Sequence, residues 1–264
     1  VPDPGYAPYF GGSFFASARI VRETLRAENG FLVPPERILA APGRLRLVYL
    51  NYPNNPTSAA PGISYLEEVV VACAERGATL LWDNAYSEVT YDGYRAPGLL
   101  EVAGGREVGI ELHSFSKTYN MTGWRLGWAT GSPALIGALR RVKTFFDSGS
   151  YLAIQAAGAA VLRDPDPWIR DTVESLRVRR DAAVRAFRSA GFELESPKAT
   201  LYLWLRVPGN ETSESFCRRM LQDAHVVFLP GSAMGPGGEG YVRASLTLPP
   251  EAYDLACDRV RQAL

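Results

Sequence analysis

The chain has 264 residues with 28 basic and 28 acidic side chains, 47% hydrophobic and 21% charged. That length suits one large or two modest domains, the composition is that of an ordinary globular protein, and the zero net charge excludes the basic excess of a nucleic-acid-binding surface. No charged-then-apolar leader and no long uncharged apolar run is present, so neither a signal peptide nor a membrane helix is expected. Cys73, Cys217 and Cys257 are odd in number and far apart, with no CxxC pair and no Cys/His cluster. They predict buried thiols in a reducing cytoplasm, with neither a disulfide framework nor a metal site.

The chain opens on turn chemistry, Val1-Pro2-Asp3-Pro4-Gly5-Tyr6, and residues 13–28 fit helix or strand equally. Residues 46–50 form a short apolar strand, followed by a turn-rich stretch over 51–62. Ile63, Leu66, Val69, Val70 and Cys73 then fall at helical spacing, with Gly77 where such a helix would end. Residues 78–82 predict a second strand running into Asp83, residues 108–112 a third running into His113 and Ser114, and residues 126–129 a fourth. Ser132-Pro133 after it is a helix start, with a capping serine and proline at the first helical position. Past Asp164-Pro165-Asp166-Pro167 the pattern gives a long helix over about 168–190, a strand over 201–206 and a helix over 211–224. A strand over 241–246 and a last helix from about 250 to 264 complete it. Strands alternating with helices, with polar residues gathered just past strand ends, predict an α/β sheet that binds its ligand beyond those ends. The division expected is a large domain over 1–165 and a smaller α+β domain over 166–264.

Four segments concentrate chemistry: residues 51–58 (NYPNNPTS), 83–88 (DNAYSE), 113–128 (HSFSKTYNMTGWRLGW) and 241–247 (YVRASLT). Each has a plain structural explanation when taken singly: a turn, a cap, a solvated lysine, a strand arginine facing water. Together, in order and spacing across nearly the whole chain, they resemble the fold type I pyridoxal-phosphate (PLP) aminotransferases of the aspartate aminotransferase-like branch. The resemblance implies a mixed, mostly parallel sheet between helices, with a smaller C-terminal domain. It implies Lys117 as the Schiff-base lysine and general acid/base, and Asp83 as the carboxylate paired with the pyridine nitrogen. Asn55 and Tyr86 would hydrogen-bond the ring 3′-oxygen, and Ser114, Ser116 and Arg125 would hold the phosphate. Tyr6 would stack on the ring, Arg243 would take the substrate carboxylate, and Asn55 would also contact the substrate. The resemblance also implies amino-acid and 2-oxo-acid substrates and a homodimer as the complete enzyme.

Within the resemblance, Ser58 stands where the family usually has glycine. The family also carries a substantial segment before the position of Val1, including a phosphate-binding loop, so the expectation is a chain lacking that segment and binding PLP poorly alone. The run over 116–129 (SKTYNMTGWRLGWA), with Asp147-Ser148-Gly149 and Gln155, looks like enzymes acting on LL-diaminopimelate or its succinylated precursor. A PLP-dependent β-lyase on the same fold and a non-catalytic aminotransferase-like domain are the alternatives. Lys143, beside Arg140 and Arg141, fits a solvated helix face. Lys198 lies near a substrate-proximal region of the family, and His113 and His225 fit structural roles.

Overall fold

A computed structural model describes residues 1–264. In chain order the elements are β1 (Pro2–Asp3), α1 (Ala7–Phe15), β2 (Glu23–Thr24), α2 (Pro35–Leu39), β3 (Leu47–Asn51), α3 (Ile63–Glu75) and β4 (Thr79–Asp83). There follow α4 (Gly105–Val108), β5 (Gly109–Ser114), α5 (Phe115–Thr118), β6 (Gly127–Gly131), α6 (Pro133–Phe146) and α7 (Leu152–Arg163). The remainder is α8 (Asp166–Ser189), β7 (Tyr202–Arg206), α9 (Ser213–Arg219), β8 (Leu229–Pro230), β9 (Tyr241–Ser245) and α10 (Pro250–Ala263).

The chain forms two compact units, one of residues 34–53 and 60–173, the other of residues 1–33, 54–59 and 174–264. In the first, the strand order is β3-β4-β5-β6, with the first three parallel and β6 antiparallel to β5. The short apolar runs become interior strands because they bury Leu50, Leu80 and Trp82 almost completely. At about 1.5–3 kcal/mol for each large apolar side chain, that burial fixes which face is which. Trp82 also places its indole N–H, donating to Pro97 O at 3.2 Å. Helix α3 packs Leu66, Val69, Val70 and Cys73 inward at the spacing read from the sequence. Gly77 follows with φ 57°, a left-handed stop. Arg76, next to that stop, spends its guanidinium on the carbonyls of Leu39, Ala41 and Gly43, which satisfies acceptors just past α2. Gly109 opens β5 because a Cβ there would lie 2.2 Å from Leu80 O. Helix α6 starts on Pro133 as expected, but the Ser132 hydroxyl makes no capping bond.

The other unit holds the antiparallel sheet β7-β9-β8 and the parallel pair β1-β2. Its core gathers Phe187, Phe192, Phe216 and Phe228, with ring centroids 5.6–6.2 Å apart. Val260 and Cys257 of α10 are buried. The helix expected over 211–224 is α9, continued by a π-helical turn over Met220–Ala224.

The division between units differs from the one expected at 165/166. It falls within α8, after Val173, and residues 1–33 and 54–59 fold with the C-terminal part. The reason is local bonding. Asp3 Oδ1 accepts the Gly237 N–H at 2.9 Å and Gly5 N donates to Met234 O at 2.9 Å. Gly235 has to be glycine there: its φ is 132°, and a Cβ would meet Asp3 Oδ1 at 2.1 Å. Residues 13–28, open between helix and strand, divide between the end of α1, a loop and β2. No helix is long and apolar enough to cross a membrane.

Candidate active site

Three parallel strands end side by side, and most of the polar residues singled out in the sequence sit at or beyond two of those ends, where α/β sheets bind ligands. Asp83 closes β4, and its register partner on β5 is Leu112, so Ser114 leaves the sheet two residues further along the neighbouring strand. Asn51, the last residue of β3, donates from Nδ2 to Asp83 O at 2.8 Å. Asp83 Oδ1 accepts the Ala85 N–H at 3.2 Å. Tyr86 is buried three residues on.

Ser114 caps α5, its Oγ accepting the Ser116 N–H at 3.1 Å. Ser114, Ser116 and Lys117 therefore share one turn. Ser116 is buried and Lys117 half-buried, with its Nζ in no hydrogen bond or ion pair. The other two lysines differ: Lys143 is paired with Asp147 at 2.5 Å on an exposed helix end, and Lys198 is exposed. Arg125 is exposed and adopts φ 54°, ψ 53°, a left-handed conformation uncommon outside glycine. Its Nη1 donates to Thr122 O at 2.9 Å, and Thr122 Oγ1 donates to Ser116 O at 3.0 Å. The turn carrying the guanidinium is thus tied back to the turn carrying Lys117. A half-buried, uncommitted amine, a carboxylate, two hydroxyls and a guanidinium at two adjacent strand ends fit a ligand with a carbonyl, a basic ring nitrogen and a phosphate.

The remaining candidates lie in the other unit. Arg243 on β9 donates from Nη1 to Asn55 Oδ1 at 2.6 Å, and its guanidinium carbon sits 4.1 Å from the centre of the Tyr202 ring. The ring supports the guanidinium through cation–π contact. Asn55 is buried in a loop pinned at several points. Asn54 Oδ1 accepts from Thr57 N at 3.0 Å and Thr57 Oγ1 at 2.7 Å. Ser58 has φ 59°, the conformation a glycine takes freely and a serine holds at about 1–2 kcal/mol of strain. Its hydroxyl donates to Tyr202 O at 2.9 Å and lies 2.7 Å from Thr200 Oγ1, bonds of about 0.5–1.5 kcal/mol each that offset the strain. Ser58 so anchors the loop of Asn55 to the strand whose Tyr202 supports Arg243. Tyr6 precedes α1, 46% exposed, edge-on to Tyr9 at 5.6 Å; it joins neither group by a hydrogen bond. Sequence reasoning misses Tyr202. Its signal is the strand register, which is visible only once β7 and β9 are paired.

The aminotransferase class I and II family model matches residues 1–260. The chain is 44% identical over 265 residues to the LL-diaminopimelate aminotransferase of Moorella thermoacetica, covering 100% of this chain and 68% of that protein. It is 40% identical over 267 residues to LL-diaminopimelate aminotransferase 2 of Nostoc sp., again covering 100% and 68%. Among solved structures it is similar to a probable N-succinyldiaminopimelate aminotransferase from Thermus thermophilus, at 34% identity and TM-score 0.90, over 100% of this chain and 71% of that one. It is also similar to apo-BacF from Bacillus subtilis, at 32% identity and TM-score 0.89, over 99% and 67%. The chain spans about two thirds of the length of these relatives.

Proposed function

The chain belongs to the aminotransferase class I and II family of PLP-dependent enzymes, and on that premise we propose that it moves the amino group of an LL-diaminopimelate-like amino acid to a 2-oxo acid, in two half-reactions with ping-pong kinetics. The observation that carries the reading is Lys117, half-buried with its amine uncommitted in the turn past β5, while Asp83 closes the adjacent strand.

When bound, the cofactor supplies an electron sink for the pair left as the substrate Cα–H bond breaks. Lys117 Nζ would hold the cofactor covalently at rest. As general acid/base, it would take the proton from the substrate Cα and return it. The Asp83 carboxylate would keep a proton on the pyridine nitrogen, since an adjacent negative charge favours the protonated ring. Ser114, Ser116 and Arg125 take the phosphate, the hydroxyls as single donors and the guanidinium as a fork. By the family resemblance, the Tyr86 hydroxyl and the Asn55 amide would orient the ring oxygen, and the Tyr6 ring would stack on one face. Arg243 takes the α-carboxylate, with its fork oriented beforehand by Asn55 and Tyr202.

The diamino dicarboxylate is supported by the named relatives at 40–44% identity. Donor half-reactions test it, followed by cofactor absorbance with LL-diaminopimelate, aspartate, alanine and phenylalanine. The expected result is a kcat/KM for LL-diaminopimelate about tenfold or more above the others, worth ~1.4 kcal/mol. Equal or better use of aspartate would remove the substrate and leave the reaction class.

The enzyme works as a homodimer. Supporting this, α6 buries none of its side chains, and Phe145 and Phe146 at its end are 91% and 83% exposed, an apolar face that a monomer rarely shows to water. Light scattering of the intact protein should give twice its chain mass, falling to one chain on replacing both phenylalanines by serine. A monomeric wild type would refute the dimer. The cytoplasm is the compartment that three unpaired cysteines suit.

A further inference from the structure

Resting on the aminotransferase reading, we propose that Glu111 is a positioning residue for Asp83 and Lys117, acting through Asn84 and His113 from the opposite face of the sheet. Glu111 stands in the middle of β5, three residues before Ser114, and is only 3% exposed. Its register partner on β6 is Thr130. Side chains alternate along a strand, so Glu111 and His113 share one face while Leu112 and Ser114 take the other. Trp82 pairs with Glu111 and Asp83 with Leu112, so Asp83 belongs to the face away from Glu111.

A carboxylate at this depth needs donors, and two of the three it has, Asn84 and His113, come from the segments that carry the active-site residues. Asn84, next to Asp83, donates from Nδ2 to Glu111 Oε1 at 2.7 Å and to Pro97 O at 3.2 Å. The Asn84 N–H is committed to Leu112 O at 2.9 Å. Leu99 N donates to Glu111 Oε2 at 2.8 Å. His113, next to Ser114, brings Nε2 within 3.1 Å of Glu111 Oε1, and its ring lies flat on Trp128 at 4.6 Å and 5°. One carboxylate therefore clamps the residue after Asp83 and the residue before Ser114, which caps the Lys117 turn.

Two observations show that the clamp is oriented by charge. Asn84 Oδ1 is buried with no partner, so the amide is held wholly by what its NH2 group donates to; turned over, it would present oxygen to two oxygens. Burial pushes the Glu111 carboxyl up, yet the hydrogen bonds from His113, Asn84 and Leu99 outweigh it and hold the group below the ordinary carboxylate range. A second aspect is specificity of residue type. Glutamine at 111 would keep the volume but present N–H to at least one of three donors, so the clamp would open without leaving a cavity.

The test is Glu111→Gln in the holoenzyme, with Asn84→Ala as the second variant because it leaves two of the three donors on Glu111. Three readouts are taken: the melting temperature, the pH midpoint of the bound cofactor's absorbance change, and the split between kcat and KM. Displacing Asp83 and Lys117 relative to the cofactor should move the spectral midpoint by about half a pH unit or more. It should also lower kcat about tenfold with KM within about twofold, in whichever variant folds. A lower melting temperature with midpoint and kcat unchanged would show a purely structural carboxylate and overturn the proposal. Borohydride reduction of the same wild-type preparation separates this from the reading beneath it. A pyridoxyl group on Lys117 with unmoved variants overturns the positioning role alone, and a label elsewhere overturns both.

Discussion

Replacing Lys117 by alanine is expected to cut turnover by about 10⁴-fold or more, the upper range for loss of a positioned acid/base, while PLP is still bound through its non-covalent contacts. Of the three lysines, Lys143 already has Asp147 as partner and Lys198 is exposed. Only Lys117 joins partial burial to an uncommitted Nζ at a strand end. The measurement is single-turnover kinetics with saturating amino acid, together with borohydride reduction and peptide mapping of the wild type. The pyridoxyl group should map to Lys117. Label on Lys143 or Lys198, or a Lys117→Ala variant that still turns over within about a hundredfold, would reassign the anchor.

For Asp83→Asn the expected loss is about 10³-fold in the half-reaction, near 4 kcal/mol of barrier, with cofactor binding largely kept. The two effects separate because the amide is isosteric and keeps an acceptor for the Ala85 N–H at 3.2 Å. It loses the negative charge that keeps the pyridine nitrogen protonated. The backbone should not move, since Asn51 holds Asp83 O and the register to β5 is set by the strands themselves. Turnover within about tenfold of wild type, only ~1.4 kcal/mol, would mean that Asp83 does not face the ring nitrogen.

The strands of the first unit were legible because each is a short apolar run between turn residues: 46–50, 78–82, 108–112 and 126–129 shift by one or two residues to become β3, β4, β5 and β6. The helix over 63–75 announced itself by periodicity alone. What the sequence hid was non-local. Residues 13–28 carry no strong period, and β2 exists only through its pairing with β1. The membership of residues 1–33 depends on Asp3 meeting Gly237, 234 positions away. In the site, the residues that lie consecutively past a strand end, Asp83 and Ser114 to Lys117, could be found by motif. The supports that act across strands could not: Tyr202 under Arg243, Ser58 against Thr200, Asn84 against Glu111. Glu111 did leave a trace, a charge within an otherwise apolar strand, which is unusual unless the charge is paired.

The bond from Asp3 to Gly237 also sets an order of events on the ribosome. The unit of residues 34–53 and 60–173 has all its strands once residue 131 has emerged, whereas the other unit draws on both ends of the sequence. At about 5–20 residues per second, the first segment waits on the order of tens of seconds for its partner loop. Through that interval α1, with Phe10, Phe14 and Phe15, has no Gly235–Gly237 loop to hold its leading strand. Closing so long a loop adds little entropy beyond a shorter one, so the delay is one of synthesis rate rather than of stability. Residues 1–33 are therefore the ones most exposed to misassociation during synthesis, because they finish folding only after the unit that follows them in the sequence.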